Sequence, residues 1–317
     1  MPGLLDRRLI FVTGKGGVGK STVATALGLV AARRGLRTIV AELAAQDRVR
    51  QAFDHQAHTF KEVELTDNLF TISVDPEHAM EEYLRVKTGA VGQALGQTRL
   101  FQAFAMATPG MRELLSVGKL WELSQHTRRT DGADAYDLVI VDSPAAGHGV
   151  GILRTPRTFA EIARVGPIAH QAGSIAATIA DRSFTAIIAV ATAEEMPVNE
   201  TLWLRDALAE EELTLDATIV NACYPQRFSA HERTALEKAC KSAKQPLTGA
   251  ALRAALSEHA RMRAQREQLA RLREGLATEI VELPCLFSES VGRSELDQLA
   301  DSLRDGLAAL ESVPVPG

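Results

Sequence analysis

Gly14-Lys15-Gly16-Gly17-Val18-Gly19-Lys20-Ser21-Thr22 constrains this 317-residue chain more than any other stretch. It follows an apolar run, Leu9–Thr13, and precedes a helix-like run from Ser21 to about Arg34. Strand, glycine loop and helix in that order make a phosphate-binding loop. The glycines let backbone N–H groups turn inward onto phosphate oxygens, and the helix N-terminus adds partial positive charge. Gly14, Gly16, Gly17, Val18, Gly19 and Thr22 then form the cradle. Lys20 neutralises the β- and γ-phosphates of ATP, and the Ser21 hydroxyl ligates Mg²⁺. Lys15 is a second cation that an ordinary phosphate loop does not need.

Beyond the loop, short apolar runs alternate with helix-like stretches. They are Leu9–Thr13, Thr38–Leu43, Leu69–Val74, Leu138–Asp142, Thr185–Ala191, Ala217–Asn221 and Glu279–Leu283. Most are rich in Val and Ile and apolar on both faces, as buried parallel strands are. The expected fold is α/β: a doubly wound, mostly parallel sheet in one domain spanning residues 1–317. Its ligand belongs at the carboxyl ends of the strands. Asp75-Pro76-Glu77 reads as a helix start, with a cap, a proline and an acid in sequence. Residues from about 79 to 130 and from about 152 to 183 break the alternation and read as helices. Together they are expected to form an inserted helical subdomain. The first stretch carries Phe101, Phe104, Met106, Met111, Leu114, Leu115, Leu120 and Trp121. These residues pack helices together, or else line a groove for an apolar client.

Composition narrows the partners. A net charge of −5 gives no electrostatic case for nucleic acid or an anionic membrane. The Arg-rich stretch Glu258–Glu274 has acids interleaved at i,i+4 spacing and reads as a solvated helix face. Cys223, Cys240 and Cys285 stand far apart with no C-x-x-C, which argues against a disulfide framework, a cluster or a zinc site. No apolar stretch reaches about 18 residues, and no h-region follows Met1, so the cytosol is the expected setting.

The loop needs an acid at the end of a neighbouring strand to organise Mg²⁺. Leu138-Val139-Ile140-Val141-Asp142 supplies it, and Ser143-Pro144-Ala145-Ala146-Gly147-His148-Gly149 follows. The Gly147 N–H is placed to meet a γ-phosphate and so to sense ATP against ADP.

The loop resembles the deviant Walker A sequence of P-loop NTPases of the ParA, MinD, nitrogenase iron protein and ArsA group. Within that group the chain resembles the arsenical-pump and tail-anchored-protein-targeting ATPases. Asp142–Gly149 is similar to their D-x-A-P-T-G-H switch. Ala193–Thr201 looks like the P-E-E-M-P-V-x-E-T stretch of actinobacterial members, and Thr108–Glu113 resembles a P-G-x-x-E motif of the helical subdomain. Ile219-Val220-Asn221 and Leu283-Pro284 match strand ends that frame adenine. The resemblance implies a dimer, with itself or with an ArsA-like paralogue, in which two nucleotides face each other. Lys15 then acts in trans on the partner's phosphates, much as an arginine finger does.

One departure stands out. The family has S-T-D-P-A-H after the second strand, and its Asp positions the attacking water. This chain reads Glu42-Leu43-Ala44-Ala45-Gln46-Asp47-Arg48-Val49, running on to Ala52-Phe53. Aligning on that Ala-Phe end puts Ala44 at the Asp position, and a methyl group cannot orient water. Glu42 or Asp47 takes over the role, or the chain holds ATP and hydrolyses it poorly. Two other roles stay open. One is a nucleotide-binding subunit of a heterodimer; the other is a positioning ATPase like ParA or MinD. The acidic final helix, about Ser294–Leu310, disfavours membrane attachment in the second. Nitrogenase-reductase chemistry would need cluster cysteines that are not near the second switch.

Overall fold

A computed structural model describes residues 3–43, 48–53, 60–85, 108–130, 132–163, 165–276 and 278–311. Eight strands form one sheet in the order β3-β4-β2-β5-β1-β6-β7-β8. They are β1 Leu9–Gly14, β2 Thr38–Glu42, β3 Val63–Thr66, β4 Leu69–Ser73, β5 Leu138–Asp142, β6 Thr185–Thr192, β7 Ala217–Cys223 and β8 Glu279–Pro284. All neighbours run parallel except β3 and β4. The expected doubly wound α/β architecture is therefore present.

Strand β3 was not anticipated from the sequence. It is four residues long and only partly buried, and it closes an antiparallel hairpin through Asp67-Asn68. Asn68 adopts a left-handed φ of 63°, which Asn tolerates in tight hairpin turns. An edge strand buries one face at most, so it lacks the two-sided apolar signal of the others.

The helices are α1 Lys20–Arg33, α2 Arg48–Gln51, α3 from residue 76 to 85, α4 Met111–Ser124, α5 Ala146–Ala163, α6 Pro167–Ala180, α7 Glu195–Glu210, α8 Ala230–Ser242, α9 Pro246–Gly275 and α10 Arg293–Glu311. Helix α3 begins at the expected place: Asp75 Oδ1 accepts the N–H groups of Glu77 and His78, each at 3.0 Å. Phe101, Phe104 and Met106 lie outside the described residues.

Side-chain alternation along each buried strand feeds two cores. From β1, Ile10 and Val12 join α1 and α10 on one face; Leu9 and Phe11 join α4, α5, α6 and α7 on the other. This is why the strands read apolar on both sides. Leu120 is fully buried in the second core, and Trp121 packs against it while its Nε1 donates to Thr178 Oγ1 at 2.9 Å. Leu114, also in that core, Met111, packed against it, and Leu115 line an apolar groove of about 180 Å³ between α3, α4 and α6, with Met80, Tyr83 and Ile168 opposite. The described part of the apolar set thus serves both packing and groove.

A buried charge network stands beside that groove. Arg128, with a side chain 1% exposed, meets Glu122 Oε1 at 2.8 Å and Glu62 Oε1 at 2.7 Å. Tyr136 donates its hydroxyl to Glu62 Oε2 at 2.7 Å. Lys119 bridges Glu122 at 3.0 Å and Glu82 of α3 at 2.8 Å. The network ties α3, α4 and the chain entering β3 and β5 into one unit.

In the Arg-rich stretch, Arg263 pairs with Glu267 at i,i+4, and the helix carrying both begins far earlier, at Pro246. Arg271 reaches Gln268 and Asn199, where the spacing had suggested Glu267.

Candidate functional site

The sheet order places β1 between β5 and β6, so the loop after β1 opens where the chain winds in both directions. Gly14 ends β1 with φ 142°, and a Cβ there would stand 2.1 Å from the Val190 carbonyl oxygen of β6. Gly14→Ala should therefore lower stability by about 2–4 kcal/mol, from strain and a clash the sheet cannot relax; urea unfolding measures this. Gly17 and Gly19 take φ values of 87° and 92°. That left-handed backbone favours glycine and turns N–H groups into the loop. Val18 is buried beneath the loop, and its carbonyl accepts from Asn221 Nδ2 at 3.0 Å. Asn221 of β7 thus braces the loop from below, while Pro284 ends the adjacent strand β8.

A cavity of about 500 Å³ lies over the loop. Gly16, Gly17, Gly19, Lys20, Ser21 and Thr22 line one wall, and Asp142, Ser143, Pro144 and Ala145 another. Lys20 Nζ donates to the Lys15 carbonyl at 3.1 Å. Ser21 Oγ donates to Asp142 Oδ2 at 2.5 Å. The sequence had paired these two residues across 121 positions, and the parallel β1–β5 pairing joins them. Gly147 lies beyond this wall, exposed in the first turn of α5. A backbone N–H at that position precedes the helix's own acceptors.

The electrostatics suit ligands of opposite charge. Burial pushes the Asp142 carboxyl above its ordinary range, although the Ser21 hydrogen bond and the charges of Lys20 and Arg48 oppose it. Burial likewise pulls the Lys20 ammonium down; Asp142 raises it, Arg48 lowers it further, and Glu200 raises it. Each group is held in its place at a desolvation cost that a bound counter-charge would relieve. Ser21 and Asp142 present the hard oxygen donors that Mg²⁺ takes, and the glycine cradle leaves the space that phosphates need.

Two other candidates, Lys15 and Glu42, do not line the cavity. Lys15 Nζ lies 3.4 Å from Glu200 Oε2 of α7, with both side chains partly exposed. Glu42 is buried at the end of β2, opposite Asp142 in register. Its Oε1 accepts the Arg48 N–H at 2.9 Å and the Val49 N–H at 3.4 Å, at the start of α2. Ala44 and Asp47 lie outside the described residues. Arg48 lines the cavity, and no site role had been assigned to it from the sequence. The available signal was a pair of arginines, Arg48 and Arg50, in the switch-like stretch after the second strand.

Among the described residues, no group of three or more His, Cys, Asp or Glu could hold a metal, and no helix is long and apolar enough to cross a membrane. The three cysteines carry free thiols. Burial pushes the Cys223 thiol up to about 12, with Glu282 adding to the effect.

A family model described as Anion-transporting ATPase matches residues 7–168 and 161–248. ATPase BagA of Mycobacterium tuberculosis is 27% identical over 316 residues, covering 93% of this chain and 92% of the relative. A putative arsenical pump-driving ATPase of Halobacterium salinarum is 25% identical over 240 residues, covering 71% of this chain and 36% of the relative. ATPase get3 of Botryotinia fuckeliana is 29% identical over 171 residues, covering 52% of this chain and 47% of the relative. With the family match spanning well over half of its length, the chain belongs to the ArsA family of ATPases.

Proposed function

We propose that this protein is an ATP-binding dimeric switch. Each subunit holds Mg–ATP on the loop from Gly14 to Thr22, and its Lys15 reaches the phosphates of the facing subunit. Nucleotide state then opens or closes the groove between α3, α4 and α6, where an apolar protein segment docks.

The observation that carries this reading is the division of labour between two lysines. Lys20 lines the phosphate cavity; Lys15, five residues earlier, points away to Glu200. A partly exposed ion pair of that kind contributes about 0–1 kcal/mol. Lys15 can exchange it for a phosphate at small cost. Burying the ammonium at an interface without an anion would cost several kcal/mol. Closure therefore depends on nucleotide in the facing site. Mg²⁺, held by Ser21 and organised by Asp142, would neutralise charge on the terminal phosphates. Lys20 would hold the β- and γ-phosphate oxygens, and the Gly147 N–H would report whether the γ-phosphate is present.

Ala44 favours a second reading, in which the chain is the hydrolysis-impaired partner of an intact paralogue. Losing a group that positions water or takes its proton reduces turnover by about 10²–10⁴-fold. Single-turnover assays separate the readings. Ala44→Asp should raise hydrolysis by at least about 10-fold if the switch has merely decayed. Unchanged hydrolysis in that variant, with full hydrolysis on adding the paralogue, would place the chemistry in the partner.

A further inference from the structure

We propose that Arg48 is a phosphate ligand of this site, binding the terminal phosphate of a nucleoside triphosphate and so distinguishing triphosphate from diphosphate. The inference rests on the ATP-binding reading above and adds to it a residue that the phosphate loop and the Asp142 switch do not include.

The backbone of Arg48 is anchored. Its N–H donates to Glu42 Oε1 at 2.9 Å, and its carbonyl accepts from Ala52 at 3.2 Å. The next two residues of α2 are buried: Val49 enters the core, and Arg50 Nη2 donates to the Lys61 carbonyl at 2.7 Å. Glu42 in turn is fixed in β2, in register with Asp142 of β5. The start of α2 is thus tied to the strand that neighbours the Asp142 strand.

The side chain has the opposite character. Arg48 is exposed and lines the cavity that Lys20, Ser21 and Asp142 also line. It forms no ion pair with a carboxylate among the described residues. Its charge is felt at Lys20 and at Asp142 alike. Two cations therefore converge on one buried carboxylate, an arrangement that a polyanion relieves. A guanidinium suits the purpose, because its planar fork grips two oxygens of one phosphate. Arg48 lines the same cavity from the start of α2, outside the glycine loop, and so adds a second cation for the terminal phosphate that Lys20 also serves. Glu42 becomes a positioning residue: it sets where α2 begins.

The test is calorimetric titration of the full chain with Mg–ATP and Mg–ADP. Arg48→Ala should weaken ATP binding by about 10- to 100-fold while ADP binding changes by less than about 3-fold. Arg48→Lys keeps the charge and loses the fork, and should fall between. Glu42→Ala should reproduce the ATP-selective loss, whereas Glu42→Gln, which keeps an acceptor oxygen, should largely retain selectivity. Equal losses on both nucleotides, or no loss with either, would overturn the proposal. If the wild-type chain binds neither nucleotide, the ATP-binding reading itself falls, a different result from ATP binding that ignores Arg48.

Discussion

Lys15→Ala is expected to bind ATP within about two-fold of the wild-type protein, yet to lose ATP-dependent association and at least about 10³-fold of any turnover. The first half follows from geometry. Lys15 is not part of the cavity wall, and its ammonium is held by Glu200 of its own chain. On the proposed reading, Lys20, Ser21 and the loop N–H groups would serve the bound phosphates without it. The second half follows from charge. A cation brought to a phosphate across an interface acts in a low-dielectric setting, where its attraction greatly exceeds that of a surface pair. Glu200→Gln should shift association the other way, because the competing partner of Lys15 becomes neutral. A merely structural lysine would give neither result: its loss would lower ATP binding and unfolding temperature together. Sedimentation velocity with ATP, ADP and no nucleotide reads association; calorimetric titration reads ATP binding, phosphate release reads turnover, and thermal unfolding reads stability.

Arg128→Met should lower stability by about 3–5 kcal/mol, the cost of leaving buried charges without their partner. The arginine is nearly inaccessible and serves Glu62 and Glu122 at once. Burial alone would raise both carboxyl pKa values. Hydrogen bonds from Arg128, aided by Tyr136 at Glu62 and by the charge of Lys119, hold both below the ordinary range. The sign follows. Carboxyls with depressed folded-state pKa values stabilise the protein at pH above their unfolded value of about 4.3, and that stability is lost as pH falls through the folded values. The variant should therefore show a large deficit at neutral pH and a shallower acid limb below about pH 4.5. Urea unfolding across pH 3–8 checks both. Because Glu62, Glu82 and Lys119 connect β3, α3 and α4, the apolar groove should loosen in the same variant and bind a fluorescent apolar dye more readily.

The sequence made the central strands legible because burial on two faces leaves a mark that one chain displays by itself. Leu9–Thr13 and Leu138–Asp142 need no knowledge of their neighbours to read as buried strands. Val63–Thr66 does, since a half-exposed edge strand is recognisable mainly through its partner. Helix α9 shows the same limit: over 30 residues only Gly249, Met262, Leu269 and Leu272 are buried, so no continuous apolar stripe marks its beginning at Pro246. The site divides similarly. The loop and Asp142 carry local motifs, and the structure brings Ser21 and Asp142 into contact. Two further links join residues that only tertiary folding brings together, Lys15 with Glu200 and Asn221 with Val18, and a third is local, Glu42 with the start of α2. The last of these changes how Glu42 is read. Its position at the strand end suggested a group near water, whereas its Oε1 faces the N–H groups of α2.

The most direct test of the switch is the mass of the wild-type chain by sedimentation velocity, alone and mixed with an ArsA-like paralogue, in Mg–ATP and in Mg–ADP. A two-subunit species is expected in Mg–ATP, in at least one of the two samples, that dissociates in Mg–ADP. A mass that is the same with both nucleotides in both samples would contradict the switch.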